Sequence, residues 1–252
     1  MVKTVHIVMQ GKGGAGKSLT SSMLVQYLNY ADYNVHAIDL DPTTPTLSAI
    51  AALNALPIQI MDGDDINPRF FDDLMTRIFE VGEDTHTVID TGTSSFIATC
   101  SYLAENIAFE LMQEAGIQVY IHCPVCGGAA LDDTLNSLLS ILDHFASVPV
   151  VVWVNEFFGP VAKNGRSFAD STIYEDNTDR IAAVMMHPKV QAGTFGEDIR
   201  AMMQAKLTFA EAIQSSEFNV MARQRLKIYW TKAIDRLDNA AFLAPAELET
   251  AE

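Results

Sequence analysis

The sequence predicts an α/β protein with a doubly wound, mostly parallel sheet, and three observations carry that reading. Short apolar, β-branched runs alternate with helical stretches along most of the chain, the pattern of βαβ units. Residues 11–18 read Gly-Lys-Gly-Gly-Ala-Gly-Lys-Ser, a phosphate-binding loop of the form G-x-x-x-x-G-K-[ST] set between an apolar run and a helical one. Polar residues able to meet a ligand, Asp39, Asp41, Asp90 and Asn155, follow separate apolar runs, and open α/β sheets gather ligands at the carboxyl ends of their strands.

Each element has its own warrant. Residues 4–9 (Thr-Val-His-Ile-Val-Met) have the composition of a buried strand. Leu19, Met23, Leu24, Tyr27 and Leu28 recur at helical spacing, so the loop runs into a helix N-terminus, whose partial positive charge favours phosphate. Residues 35–40 are the second strand, ending in Asp39-Leu40-Asp41-Pro42, and Pro42 and Pro45 exclude a helix through residues 43–46. The acidic stretch 62–84 carries a short helix around residues 70–79 and reads as a solvated covering layer. Residues 87–90 make the third strand, residues 96–114 a long helical region and residues 117–123 the fourth strand.

Residues 129–145 are a helix with Leu131, Leu135, Leu138, Leu139 and Leu142 as apolar positions, and residues 148–154 suit the middle of a parallel sheet. The irregular segment 156–180 reads as a functional loop or flap. A further strand over 181–186, short helices, a long final helix over 220–237 and an acidic tail, residues 247–252, complete the chain. Residues 1–252 are expected to form one domain.

Composition narrows the function. No apolar run of the 252 residues approaches the ~18 needed for a transmembrane segment, and the first apolar stretch is used as a strand rather than a leader. Three cysteines fit a reducing compartment, so a cytoplasmic location is expected, with contact to the inner face of the membrane only through partners. The net charge of −16 opposes nucleic-acid binding over the whole surface.

The final helix nevertheless carries Arg223, Arg225, Lys227, Lys232 and Arg236 against Asp235. Three readings stay open for it. It packs on the sheet through Leu226, Trp230, Ala233 and Leu237, or it makes a docking or non-specific DNA contact through Arg223, Arg225, Lys227 and Lys232, or it lies on a membrane surface. Cys123-Pro-Val-Cys126 has redox or metal-ligand spacing without a second pair, and reads as ordinary strand-end cysteines, with a dimer-bridging cluster as the alternative. The six scattered histidines are assigned no ligand role.

The loop itself implies ATP and Mg²⁺ as ligands. Backbone N–H groups of Gly11, Lys12, Gly13, Gly14, Ala15, Gly16, Lys17, Ser18 and Leu19 surround the phosphates, Lys17 reaches between the β and γ phosphates, and the Ser18 hydroxyl meets Mg²⁺. Asp90 ends an apolar run and takes the outer metal position, unless it is only a turn aspartate before Thr91-Gly92. Asp39 and Asp41, two apart on a strand, point to one side. Asp41 is expected to orient or activate the attacking water and Asp39 to sit nearer the metal, with a capping role for one of them as the alternative. Lys12 has no task within its own chain.

These residues together, Lys12 to Ser18, Asp39-Leu40-Asp41-Pro42, Asp90 and Asn155, resemble the deviant Walker A ATPases of the ParA/MinD superfamily, over roughly residues 1–155. The resemblance implies a P-loop NTPase of the SIMIBI, MinD-like type that forms a homodimer around ATP. In it Lys12 reaches the partner's phosphates, hydrolysis waits on dimerisation, and Asn155 hydrogen-bonds the adenine. Further segments, among them Met61 to Asn67, Val88 to Phe96, Cys126 to Ala130, Leu207 to Ile213 and Arg223 to Ile228, resemble the transfer-region ATPases of conjugative plasmids and related plasmid-stability proteins. That implies partners among plasmid transfer or partition proteins.

Two features depart from the superfamily. Thr43 stands where glutamine is common after Asp-x-Asp-Pro, and the loop after Asp90 is Thr-Gly-Thr-Ser-Ser rather than a proline-containing switch. The alternatives are a P-loop amide ligase of the dethiobiotin or cobyric-acid type, and a nucleotide-binding switch with negligible hydrolysis.

Overall fold

The computed structural model describes residues 2–243; the acidic tail, residues 247–252, lies outside the described residues. The elements run β1 (Thr4–Val8), α1 (Lys17–Tyr30), β2 (Asn34–Leu40), β3 (Leu56–Pro57), β4 (Met61–Asp62), β5 (Asp65–Ile66), α2 (Phe71–Glu80), β6 (Thr85–Thr91), α3 (Phe96–Glu105), α4 (Ala108–Glu114) and β7 (Gln118–Cys126). They continue with α5 (Leu131–His144), β8 (Val150–Asn155), β9 (Ala162–Lys163), β10 (Arg166–Ser167), α6 (Thr172–Glu175), β11 (Ile181–Met186), α7 (Glu197–Gln204), α8 (Phe209–Gln214) and α9 (Val220–Asp238).

Seven strands form one sheet in the order β11-β8-β7-β1-β6-β2-β3, every neighbouring pair parallel. Both faces are covered. Helices α2 to α5 pack on one through Phe71, Leu74, Phe109 and Leu138, and α1 and α7 to α9 on the other through Leu24, Met202, Phe209 and Leu226. Strands buried on both sides are mostly apolar, with any polar side chain paired, which is why β8 reads as a nearly continuous apolar run and β1 as one interrupted by Thr4 and His6. The middle strand is β1; β8 lies second from the edge, between β7 and β11.

Several boundaries and roles differ from the sequence reading for identifiable reasons. The helical region 96–114 is two helices, broken where Ile107 adopts φ +51°, a left-handed conformation that costs a β-branched residue about 1–2 kcal/mol. The fourth strand continues to Cys126, because Pro124 to Cys126 pair with β8; both cysteines are buried and free, and Cys126 Sγ donates to the Ala15 carbonyl. The acidic helix α2 is more than a solvated cover, since Phe71, Leu74 and Ile78 are buried in the core while Asp72 and Asp73 face outward. Segment 156–180 contains the β9–β10 hairpin and α6.

In α9 the buried face is Ala222, Leu226, Tyr229, Ala233 and Leu237, one residue along from the expected Trp230, which is half-buried and stacks on Phe209. Arg225 leaves the basic stripe, because it forms an ion pair with Asp198 of α7. Among the described residues no helix is long and apolar enough to cross a membrane.

Four histidines that look isolated in the sequence meet inside the fold. His86 on β6, His6 on β1 and His122 on β7 bond in a row, His86 Nδ1 to His6 Nε2 and His6 Nδ1 to His122 Nε2, each at 3.0 Å. The Trp153 indole on β8 donates to His122 Nδ1 at 2.9 Å. An indole N–H can only donate, so it fixes the neutral tautomer of His122, then of His6, then of His86. The row ends at His187, whose ring lies 5.2 Å from that of Trp153.

Burial lowers the pKa of all four, His122 to about 3 and His187 to about 4. The unfolded chain therefore takes up protons that the native state refuses. Stability present above about pH 6.5 is expected to fall as pH drops towards 4, by about 1.4 kcal/mol per pH unit for each histidine fully displaced. Asp90, raised to about 7, works in the opposite direction with one proton between about pH 4 and 7 and removes part of the slope. Urea unfolding at pH 7.5, 6 and 5 measures it; a midpoint that does not fall on acidification would contradict the buried neutral row.

Candidate functional site

The phosphate-binding loop follows β1, whose helix α1 packs on one face of the sheet while the helices after its neighbours β6 and β7 pack on the other, the switch point at which open α/β sheets bind ligands. Gly14 and Gly16 have φ of +74° and +102°, values that admit glycine freely and other residues poorly. Gly16 caps α1 without a side chain, and the first turn of α1 holds no acidic residue, so its N–H groups and partial positive charge are left for an anion.

The two lysines of the loop part company. Lys17, the first residue of α1, is buried, and its ammonium donates to Thr93 Oγ1 at 2.7 Å. Burial lowers its pKa while Asp90 and Asp41 pull it back up. Lys12 turns outward and pairs with Asp133 at the head of α5, 2.7 Å away. The sequence reading left Lys12 without a partner in its own chain, and the fold supplies one. Both side chains are about half exposed, so the pair is worth no more than ~1 kcal/mol and breaks readily.

The carboxylates sit side by side because Asp39 on β2 is in register with Asp90 on β6. Asp90 is fully buried. Its Oδ1 accepts from Ser21 Oγ at 2.8 Å, and Oδ2 has no hydrogen-bond partner among the described residues. Burial pushes its carboxyl up to about 7, opposed by Ser18 and Ser21 and reinforced by Asp39. A divalent cation at the orphaned oxygen would reverse that cost. Among the described residues no cluster of three or more His, Cys, Asp or Glu could hold a metal unaided. Ser18 with Asp90 instead fits Mg²⁺, which takes one or two protein ligands and fills the rest of its shell from phosphates and water.

Asp39 accepts from the N–H groups of Asp41 and Ser48. It caps the loop and adds negative charge beside Asp90. Asp41 lies nearer the opening, with Oδ1 accepting from the Thr43 N–H, the Thr43 hydroxyl and the Thr44 N–H, and Oδ2 from the Thr44 hydroxyl, all at 3.0 Å. Burial acts to raise its pKa, but these bonds outweigh it and hold the carboxyl below the ordinary range. Such a group is ionised at neutral pH and a weak proton acceptor, suited to orienting a water rather than deprotonating it.

A cavity of about 440 Å³ opens here. Gly14, Gly16, Lys17, Ser18, Asp41 and Thr93 line its polar half, and Leu19, Phe157, Phe158, Val190, Ile199 and Met203 its apolar half, the two chemistries a nucleotide presents. Asn155 stands between them. Its Nδ2 donates to the Ala15 carbonyl at 3.2 Å and its Oδ1 accepts from the Phe157 N–H at 3.1 Å, so it braces the phosphate loop against the 156–160 loop.

Of the other residues in the sequence reading, Asp39 and Asp90 lie beneath the cavity, and Gly11, Lys12, Gly13 and Ala15 outside its lining. Sequence reasoning missed Thr44, Thr93, His187 and Tyr229, all of which line it. His187 follows the last residue of β11 and was findable by the same strand-end rule that singled out Asn155. Tyr229, in the middle of α9, gave no such signal.

Comparison with known proteins agrees with this geometry. Residues 6–216 match the family model described as the CobQ/CobB/MinD/ParA nucleotide binding domain. Two Escherichia coli proteins called Protein TraL are each 38% identical over 240 residues, covering 95% of this chain and 99% of theirs. Among solved structures, the MinD cell division protein of Aquifex aeolicus aligns with a TM-score of 0.50 at 15% identity, covering 92% of this chain and 97% of that one; at that identity the likeness is one of fold.

Proposed function

The chain belongs to the CobQ/CobB/MinD/ParA nucleotide-binding family, and from that premise we propose that it is a Mg²⁺-dependent ATPase that dimerises around ATP and hydrolyses it slowly, as a switch in plasmid transfer or maintenance. It would act in the cytoplasm and reach the membrane only through partners. The plasmid role is supported by the extent of the likeness to the TraL proteins.

The observation that carries the reading is the division of labour between the lysines. Lys17 occupies the polar half of the cavity, and Lys12 is held outside it by a weak, exposed ion pair. A cation beside a phosphate site that it does not serve is suited to serve the facing site of a second copy, as an arginine finger does in trans. The loop N–H groups and Lys17 would hold the phosphates, and Asp41 would orient the attacking water. Ser18 and Asp90 would hold Mg²⁺, which when bound neutralises phosphate charge, with Asp39 adding its charge from behind.

The test is molar mass by light scattering in Mg²⁺ with ATP or ADP. Wild type is expected to double in mass with ATP alone, and Lys12→Gln to stay a monomer that still binds ATP. A wild-type monomer saturated with ATP would remove the dimer from the reading.

A further inference from the structure

The outer face of α3 and α4 is acidic and apolar at once. Residues 62–116 hold twelve of the chain's 32 acidic side chains and two of its 16 basic ones, and one of those two, Arg77, is paired with Asp73. Within the two helices Glu105, Glu110 and Glu114 have no ion-pair partner among the described residues; Glu110 accepts a long hydrogen bond from Ser147.

Beside these glutamates three large apolar side chains stand in solvent, Ile97 at 77%, Ile107 at 60% and Leu111 at 51% exposure. Ile107 caps the N-terminus of α4, and Leu111 lies one residue after Glu110 and three before Glu114, so the solvent-facing side at that end of α4 carries both kinds. Ile107 does so from a left-handed backbone that asparagine or glycine would adopt with less strain. Folding gains nothing from an exposed isoleucine there, and strain of this sort accumulates where a surface is used. The face is continuous with α2, since Phe71 stacks on Tyr102 and the Tyr102 hydroxyl donates to Asp72 at 2.7 Å.

We propose that this face docks a basic amphipathic segment of a protein partner, whose lysines or arginines meet Glu105, Glu110 and Glu114 and whose apolar side covers Ile107 and Leu111. Charge decides the class of occupant: phosphates of nucleic acid and anionic lipid headgroups would be repelled by the same glutamates. The experiment needs no nucleotide, so its outcome is independent of the ATPase reading.

The probe is a fluorescent 18-residue peptide with leucine at i, i+3, i+4 and i+7 and lysine elsewhere, compared by anisotropy with a peptide of equal charge in which serine replaces leucine. Wild type is expected to bind the leucine peptide about tenfold more tightly, a fraction of the effect of fully burying two apolar side chains, because Ile107 and Leu111 are already partly covered in the free protein. The Ile107→Asn/Leu111→Gln variant should lose that preference, and Glu110→Gln/Glu114→Gln should weaken both peptides. Leu111→Gln alone, at an exposed helical position, keeps the test valid if the double variant folds poorly. Equal binding of the two peptides by wild type, or an undiminished preference in the Leu111→Gln and double variants, would overturn the proposal.

Discussion

Asp41→Ala is expected to bind ATP as the native protein does and to turn it over about a hundredfold more slowly or worse, the scale of removing a group that positions a reactant. Both oxygens of Asp41 are held by Thr43 and Thr44, so the carboxylate is fixed and ionised before ATP arrives. It makes no contact with Lys17 close enough to be a hydrogen bond, and the binding side of the cavity should survive its loss. Gly92 packs so closely that a Cβ there would lie 2.9 Å from the Asp41 carboxyl, which explains why alanine, a smaller residue at 41, is the safer probe. Phosphate release under saturating ATP measures turnover, and light scattering should find the variant retained as the ATP-bound dimer. Turnover within a fewfold of wild type would place the water-orienting group elsewhere.

Gly127→Ala is expected to be the most damaging single methyl in the described chain. The added Cβ would lie 2.0 Å from the Gly159 carbonyl oxygen and 2.6 Å from that of Pro160, both backbone, so no side chain can rotate away. The φ of Gly127 is −78°, open to alanine, and the effect is therefore steric rather than conformational. The 156–160 loop must move, carrying Phe157 and Phe158 from the cavity. Overpacking of this kind costs up to about 3 kcal/mol, or a Tm lower by about 6–12 °C in a chain of this size, and ATP affinity should fall with it. Gly193→Ala, where a Cβ meets nothing within 4 Å, is the matched control. An unchanged Tm and affinity for Gly127→Ala would mean that the two loops are not held together as described.

Much of this was legible in the sequence because a parallel sheet buries both faces of its strands. Continuous apolar runs therefore located β1, β2, β6, β7, β8 and β11, and the strand-end rule located Asp39, Asp41, Asp90 and Asn155. What stayed hidden depends on contacts between distant segments. Asp133 as the partner of Lys12 lies 121 residues away, and the capture of Arg225 by Asp198 needs α7 beside α9. The apolar half of the cavity draws on α1, α7 and the loops after β8 and β11, elements whose proximity no local period encodes. The break at Ile107 was invisible for a different reason: isoleucine carries no turn signal, and its left-handed backbone runs against its own preference.

The row of His86, His6, His122 and Trp153 has a consequence for how the sheet finds its register. Side chains along a strand alternate in direction, so a slip of one residue moves a whole strand's side chains to the opposite face. In most parallel sheets the aliphatic side chains would tolerate a slip of two. Here four adjacent strands are also joined by a chain of hydrogen bonds that has a direction, with an indole that can only donate at one end. A two-residue slip of β1 would set His6 directly opposite either His86 or His122 and four residues from the other, breaking the row and leaving a ring nitrogen unpaired in a dry interior. The row thus works as a parity check on strand alignment, penalising misassembled sheets that hydrophobic burial alone would accept.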